Sequence, residues 1–68
     1  MKIETMQQMN SLVSHVDTGC GTLRLWDGSY AVASSAWYIA PENIEDGALR
    51  RKFWMGDECV SLPVIYEE

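Results

Sequence analysis

The feature that most constrains this chain is an Asp-Gly pair, Asp27-Gly28, between two short runs of alternating apolar and polar residues. Such a pair is typical of a β-hairpin closed by a two-residue type I′ turn. A turn at these residues sorts the flanking side chains into two faces, and a shift of one residue would exchange them. The predicted inner face consists of Leu23, Leu25, Tyr30 and Val32. The predicted outer face consists of Arg24, Trp26, Ser29 and Ala31.

Length and composition predict one small domain spanning residues 1–68. The chain has 68 residues, of which 47% are hydrophobic, enough for a single small core. No apolar run approaches the roughly 18 residues of a transmembrane helix. The first eight residues lack the apolar segment of a signal peptide. The two distant cysteines, Cys20 and Cys59, favour reduced thiols over a disulfide framework. We therefore expect a cytoplasmic protein with no membrane partner.

The charge balance favours protein partners over nucleic acid. Ten acidic residues stand against five basic ones, for a formal net charge of −5. Contacts to a phosphate backbone need positive surface, so a nucleic-acid partner is disfavoured. An acidic surface attracts basic proteins. Acidity is also common among proteins that have no such partner, and charge alone does not decide between the two.

The N-terminal segment is predicted to be a helix over residues 5–16. Thr5 and Gln8 have the spacing of a capping box, with Thr5 as the N-cap. Gly19 is the expected residue just beyond the helix end. Because a helix of this length is unstable alone, we expect it to pack on a sheet. Apolar residues at helical spacing form its predicted buried stripe, Met6, Met9, Leu12, Val13 and Val16.

The middle of the chain predicts a third strand and then a helical turn. Residues 36–40 are rich in strand formers, with Trp37 and Ile39 expected on the inner face and Tyr38 on the outer face. Ser34-Ser35 is a poor type I′ turn, so a longer loop or a helical turn stays open there. Residues 41–47 begin with Pro, continue with acids and end in Gly, which indicates one helical turn.

The last third predicts a second hairpin around Gly56-Asp57, which places Trp54 opposite Cys59 and Phe53 opposite Val60. Pro63 lacks an N–H, so we expect its strand to lie at an edge or to break there. Alternation predicts a buried face on this strand, beside Phe53, formed by Val60, Leu62, Val64 and Tyr66.

These elements predict an α+β fold: a short N-terminal helix packed on a curved antiparallel β-meander of four or five strands. Closing that meander would give a small barrel of the SH3-like or Sm-like type. An architecture of this kind does not by itself assign a function.

No set of residues indicates an enzyme. The soft ligands His15, Cys20 and Cys59 lack the close-spaced pair of a zinc site, so we expect no metal and no other cofactor. Carboxylates are frequent, but so short a chain has little room for the cleft that acid–base chemistry requires. We expect the turn carboxylates to be solvated, namely Glu42, Glu45, Asp46, Asp57 and Glu58.

The predicted function is that of a non-enzymatic protein-binding module. We expect a small acidic regulator or inhibitor that docks on a basic surface of a larger protein, with outward aromatic residues as anchors. Size and charge extend this expectation to a phage protein that blocks a nucleic-acid-handling enzyme. The expected protein-binding residues are Trp26, Tyr38, Glu42, Glu45 and Asp46.

Two alternatives stay open. A basic and aromatic strand face could bind single-stranded nucleic acid through stacking and phosphate contacts. The same cations could simply pair with nearby acids. The residues of that face are Arg24, Arg50, Lys52 and Trp54. The second alternative is a homo-oligomeric structural unit joined through an exposed edge strand, which needs no other partner.

Overall fold

The computed structural model describes residues 1–18 and 21–66. This part of the chain forms one short helix and a mixed sheet of eight strands. In chain order the elements are β1 (Lys2–Ile3), α1 (Met6–Leu12), β2 (Val13–Asp17), β3 (Leu23–Leu25), β4 (Tyr30–Ala33), β5 (Tyr38–Ile39), β6 (Asn43–Glu45), β7 (Ala48–Met55) and β8 (Glu58–Ile65).

The strand order is β1-β4-β3-β2-β8-β7-β5, with β6 also beside β7. The pairs β1/β4 and β2/β8 are parallel, and the other pairs are antiparallel. The broad α+β class is therefore confirmed. A purely antiparallel meander of four or five strands is wrong, because the sequence did not predict β1, β2 and β6 as strands and two pairs run parallel. The SH3-like or Sm-like barrel stays a prediction.

The helix begins as predicted and ends early. The Gln8 N–H donates to Thr5 Oγ1 at 3.1 Å, and the Thr5 N–H donates to Gln8 Oε1 at 3.2 Å, which completes the capping box. Met9 is buried. The helix stops at Leu12, whose carbonyl accepts from the backbone N–H of Trp26 at 3.1 Å. The predicted helix end at Gly19 lies outside the described residues.

Val13–Asp17 is a strand, and a β-bulge in it explains why its buried valines have the spacing of a helix. Val13 pairs with Leu25 and Val16 pairs with Leu23, although three positions separate the valines and only two separate the leucines. In a regular strand, residues three apart face opposite sides. The extra residue at the bulge turns both valines into the core. The predicted helix over residues 13–16 is therefore wrong.

The first hairpin forms with a register one residue away from the prediction. Leu23 pairs with Ala31, and Gly28 is the turn residue with positive φ, at +91°. The Gly28 N–H donates to the Leu25 carbonyl at 3.0 Å, which makes a three-residue loop instead of a type I′ turn. Ala31 consequently faces the core, while Tyr30 and Val32 are exposed. The predicted faces of this second strand are exchanged.

The type I′ turn occurs at the other Asp-Gly pair of the chain. Asp46 and Gly47 have φ of +53° and +80°, and they join β6 to β7 with Glu45 opposite Ala48. Positive φ at both central residues is what this turn requires. The helical turn predicted over residues 41–47 is therefore wrong.

Strand β5 pairs with β7 and not with β4. Tyr38 lies opposite Trp54, while the free side of β4 is taken by β1. The backbone N–H of Trp37 donates to the Ser34 carbonyl at 3.3 Å. The chain therefore makes a local turn at Ser34-Ser35 and leaves β4. Trp37 is buried as predicted, and Ile39 is exposed, contrary to prediction.

The second hairpin is confirmed: Trp54 pairs with Cys59, and Gly56 has the positive φ of a type II′ turn. Leu62 and Val64 are buried and Val60 is partly buried, but Tyr66 is exposed. Strand β8 lies between β2 and β7 and runs through Pro63 without a break. This is possible because pairing with β2 begins at Val64, beyond the residue that lacks an N–H.

Trp37 connects the two ends of the strand order. Its indole N–H donates to the buried carbonyl of Ile3 in β1 at 3.0 Å. Its ring packs edge-on against Phe53 in β7, with centroids 6.5 Å apart. The sheet therefore curls around one core. The buried residues of that core are Ile3, Met9, Val13, Val16, Leu23, Leu25, Ala31, Trp37, Phe53, Leu62 and Val64.

We expect Trp37→Phe to lower the free energy of unfolding by about 1–2 kcal/mol, because the ring stays apolar while the hydrogen bond to Ile3 is lost. Trp37→Ala should cost about 3–5 kcal/mol. Urea unfolding followed by circular dichroism measures both. The control is Trp26→Phe at an exposed position, which should change stability by less than about 0.5 kcal/mol. Equal effects of Trp37→Phe and this control would contradict the assigned role.

We expect Gly28→Val to lower the free energy of unfolding by about 1–3 kcal/mol, since a β-branched residue resists positive φ. A Cβ at this position would meet nothing within 4 Å, so the cost is one of backbone conformation alone. Gly28→Asn should cost less, because Asn tolerates this region. Thermal unfolding of the two variants measures the difference, and an unchanged midpoint for Gly28→Val would rule out the loop geometry.

Candidate functional site

Trp26 is the most exposed tryptophan and has a fixed backbone. It follows β3 directly, and 73% of the residue is exposed. Its backbone N–H donates to the carbonyl of Leu12 at the end of α1. Because the backbone at Trp26 is already hydrogen-bonded, burial of the indole by a partner would order the side chain without also ordering the backbone. Tryptophans of this kind are frequent anchors of protein interfaces.

A small open cavity lies beside Trp26, where the end of α1 meets the first hairpin. Its volume is about 180 Å³. An engineered cavity of about 150 Å³ is known to hold a benzene molecule, so the space here is of the size of one side chain. The lining is largely apolar and consists of Ser11, Leu12, Leu25, Trp26 and Asp27.

The Asp27 carboxylate adds a fixed negative charge to this cavity. Its Oδ1 accepts from the Ser29 hydroxyl and, at 2.9 Å, from the Ser29 backbone N–H. These two hydrogen bonds, the hydroxyl first, lower the pKa of Asp27. The carboxylate is therefore ionised at neutral pH. The hydrogen bonds from Ser29 stabilise the fold at pH values above the ordinary pKa of Asp. This stabilisation is lost as the pH falls through the lowered pKa of Asp27.

Strand directions place more acids at this end of the sheet. Strand β2 runs parallel to β8 and antiparallel to β3, with Val13 opposite Leu25. The loop that follows β3 and the turn that precedes β8 therefore lie at the same end. That turn carries Asp57 and Glu58, both exposed. We call this end, defined by the cavity lining together with Asp57 and Glu58, the Trp26 end.

Tyr38, the second expected anchor, belongs to another surface. It is 65% exposed and lies opposite Trp54, which is 37% exposed and in turn lies opposite Cys59. Trp26 follows β3 and Tyr38 lies in β5, and these two strands are separated in the sheet by β2, β8 and β7. Both aromatic residues are outward, as expected, but the structure does not bring them into one site. Cys59 is an exposed free thiol, and Cys20 lies outside the described residues.

The acidic segment over residues 42–46 is partly neutralised by β7. Glu42 Oε1 lies 3.1 Å from Arg51, and Glu45 Oε2 lies 3.5 Å from Lys52. Asp46 occupies the type I′ turn. This turn and the turn at Gly56-Asp57 lie at opposite ends of β7, roughly 25 Å apart for eight extended residues. The two acidic regions therefore form separate patches.

The expected nucleic-acid face is engaged within the fold. Arg50 donates to the Ser61 hydroxyl at 2.8 Å and to its carbonyl at 2.9 Å. Arg24 lies in β3, where its guanidinium is 3.3 Å from Asp17 and packs over the ring of Tyr30 at 4.2 Å. Lys52 is paired with Glu45. All three cations therefore bind groups of the fold, which favours the interpretation that they serve the structure over the one that they contact phosphates.

A Ser-His-Asp group on β2 has a structural arrangement. The Ser14 hydroxyl donates to the Arg24 carbonyl at 3.0 Å and lies 2.9 Å from His15 Nδ1. His15 Nε2 lies 3.2 Å from Asp17, which is 1% exposed and also pairs with Arg24. Because the single hydroxyl proton is held by a carbonyl, this oxygen is not poised to attack a substrate. The group ties the bulge of β2 to β3.

Comparisons with models of known protein families, with curated proteins and with solved structures found no match to this chain. Among the described residues, no helix has the length and apolar character to cross a membrane. Over residues 1–18 and 21–66, no three His, Cys, Asp or Glu side chains are grouped as metal ligands. The case for a function therefore rests on the geometry of the exposed surfaces.

The sequence pattern indicates Trp26 as an exposed aromatic residue but gives no sign of the cavity beside it. The predicted helix over residues 5–16 includes Ser11 and Leu12, and the predicted hairpin has Leu25 on its inner face. Only the early helix end brings them beside Trp26 and Asp27. The Asp-x-Ser spacing of Asp27 and Ser29 was the available signal, because Asp side chains often bond the backbone two residues on.

We expect Ser29→Ala to raise the pKa of Asp27 toward its ordinary value, since the hydroxyl bond is lost while the backbone N–H remains. A carboxyl NMR titration of the ¹³C-labelled protein measures this pKa. Ser29→Thr keeps a hydroxyl and serves as the matched control, with a pKa close to that of the parent chain. A pKa unchanged by Ser29→Ala would show that the hydroxyl does not hold the charge.

Proposed function

We propose that this protein is a non-enzymatic, acidic protein-binding module that regulates or inhibits a larger protein by docking on its basic surface through the Trp26 end. The observation that carries the proposal is an exposed indole beside an apolar cavity of side-chain size with an ionised carboxylate in its lining. An apolar anchor with polar groups around it is the general anatomy of a protein interface.

The charge distribution supports a basic partner. The chain carries a net charge of −5, and the Trp26 end holds Asp27, Asp57 and Glu58. Acidic side chains on an interface speed association with a basic surface and exclude acidic competitors. The acidic segment over residues 42–46 remains a second candidate docking region, but its ion pairs with Arg51 and Lys52 reduce the field it presents.

The role of inhibitor, the phage origin and the cytoplasmic compartment belong to the same proposal. They rest on small size, acidity and two widely spaced cysteines. Binding to single-stranded nucleic acid receives less support, because Arg24, Arg50 and Lys52 are already bonded within the fold.

The test begins with capture of a partner from a lysate of the organism that encodes the chain, followed by surface plasmon resonance with the purified partner. We expect Trp26→Ala to raise the dissociation rate about 30-fold, which corresponds to about 2 kcal/mol. Trp54→Ala removes an indole from the other surface and should leave the rate unchanged. Circular dichroism of both variants verifies the fold.

Two charge reversals of equal size compare the two acidic regions. Changing Asp27, Asp57 and Glu58 together to Lys should slow association at low salt. The same change at Glu42, Glu45 and Asp46 should slow it less, since two of those carboxylates are already paired. A larger effect of the second set would move the docking site to residues 42–46. A dissociation rate unaffected by Trp26→Ala, or an acidic partner, would overturn the proposal.

A further inference from the structure

We propose that the cavity beside Trp26 takes a single apolar side chain of the partner, from a segment that carries Lys or Arg next to that residue. This inference rests on the proposed function and specifies the chemistry that its site recognises. The occupant is thus a basic peptide segment with one aliphatic anchor, bound between the indole and the end of α1.

The size of the cavity sets the anchor. About 180 Å³ accommodates one branched aliphatic side chain and has no room for a second. Leu12 and Leu25 provide apolar walls, and the indole of Trp26 provides a flat aromatic wall. Because Trp26 is 73% exposed, a bound side chain would cover surface that is now in contact with water.

The negative charge at the cavity favours basic residues next to the apolar anchor of the partner. The Asp27 carboxylate is held in place by two hydrogen bonds from Ser29, and it lies in the lining itself. A Lys or Arg beside the anchor would meet this charge, and further basic residues would meet Asp57 and Glu58 at the same end of the sheet.

A second copy of this chain is a poorer occupant on charge grounds. Two copies facing each other through this end would bring Asp27, Asp57 and Glu58 of both chains together, which is repulsive. Of the chain's five cations, Arg24, Arg51 and Lys52 are already paired with acids of the same chain.

Three tryptophans allow a direct test by NMR. The indole N–H signals report separately on the cavity (Trp26), the core (Trp37) and the other aromatic surface (Trp54). The probe is the capped octapeptide Gly-Ser-Lys-Leu-Arg-Lys-Ser-Gly, titrated into ¹⁵N-labelled protein. Its controls replace Leu by Ala, or the three basic residues by Glu.

We expect the basic Leu peptide to shift the Trp26 signal and leave the Trp37 and Trp54 signals in place. The Ala peptide should bind about tenfold more weakly, as loss of one buried aliphatic side chain predicts. The Glu peptide should give no shift, because its carboxylates would meet the acids of the Trp26 end. Ser11→Phe fills the cavity from an exposed helix position and should abolish the shift. Asn10→Phe, at the adjacent exposed position outside the lining, should preserve it.

Several outcomes would overturn the inference. If the Ala peptide bound as tightly as the Leu peptide, an apolar anchor would not be required. If the Glu peptide bound as tightly, basic neighbours of the anchor would not be required. A shift at Trp54 alone would move recognition to the other surface. Absence of any shift, with a captured partner still dependent on Trp26, would reject this occupant while the proposed function stands. Loss of Trp26 dependence in the partner assay would instead reject the proposed function.

Discussion

The fold depends on one buried hydrogen bond and the ring that makes it. The Trp37 indole donates to the carbonyl of Ile3 and packs against Phe53. These partners lie near opposite ends of the strand order, so the indole brings together β1 and β7, which do not pair. An indole gives large burial, but its N–H must find an acceptor when buried. The carbonyl of a two-residue N-terminal strand supplies it, which ties the start of the chain to the core.

The candidate site also depends on where a short element ends. The helix ends at Leu12 because its carbonyl is bonded by the first residue after β3, and the bulge in β2 then turns Val13 and Val16 inward. The helix end and the hairpin loop are thereby held side by side, with Trp26 and Asp27 left at the surface between them. This backbone contact therefore places an exposed indole and an open cavity side by side.

Electrostatics separate the surfaces of this protein. Along β7, Arg51 and Lys52 are paired with Glu42 and Glu45, whereas Arg50 donates to the neutral side chain of Ser61. In the loop after β3, Asp27 is held by hydrogen bonds from neutral groups of Ser29, which lower its pKa and keep it ionised. The carboxylates over residues 42–46 are therefore partly compensated by Arg51 and Lys52, whereas Asp27 is held by neutral donors.

Local signals determined the start of the helix at Thr5, the pairing of Trp54 with Cys59 and the burial of Trp37, because capping, turn chemistry and aromatic burial act over a few residues. Tertiary structure decided the remainder. Two Asp-Gly pairs offer similar turns, and only the partners of each strand select the register and turn type of Asp27-Gly28. The i, i+3 spacing of Val13 and Val16 fits both a helix and a bulged strand, and the choice requires the hydrogen bonds of β3. The cavity has no local signal, since its walls come from elements that meet only in the folded chain.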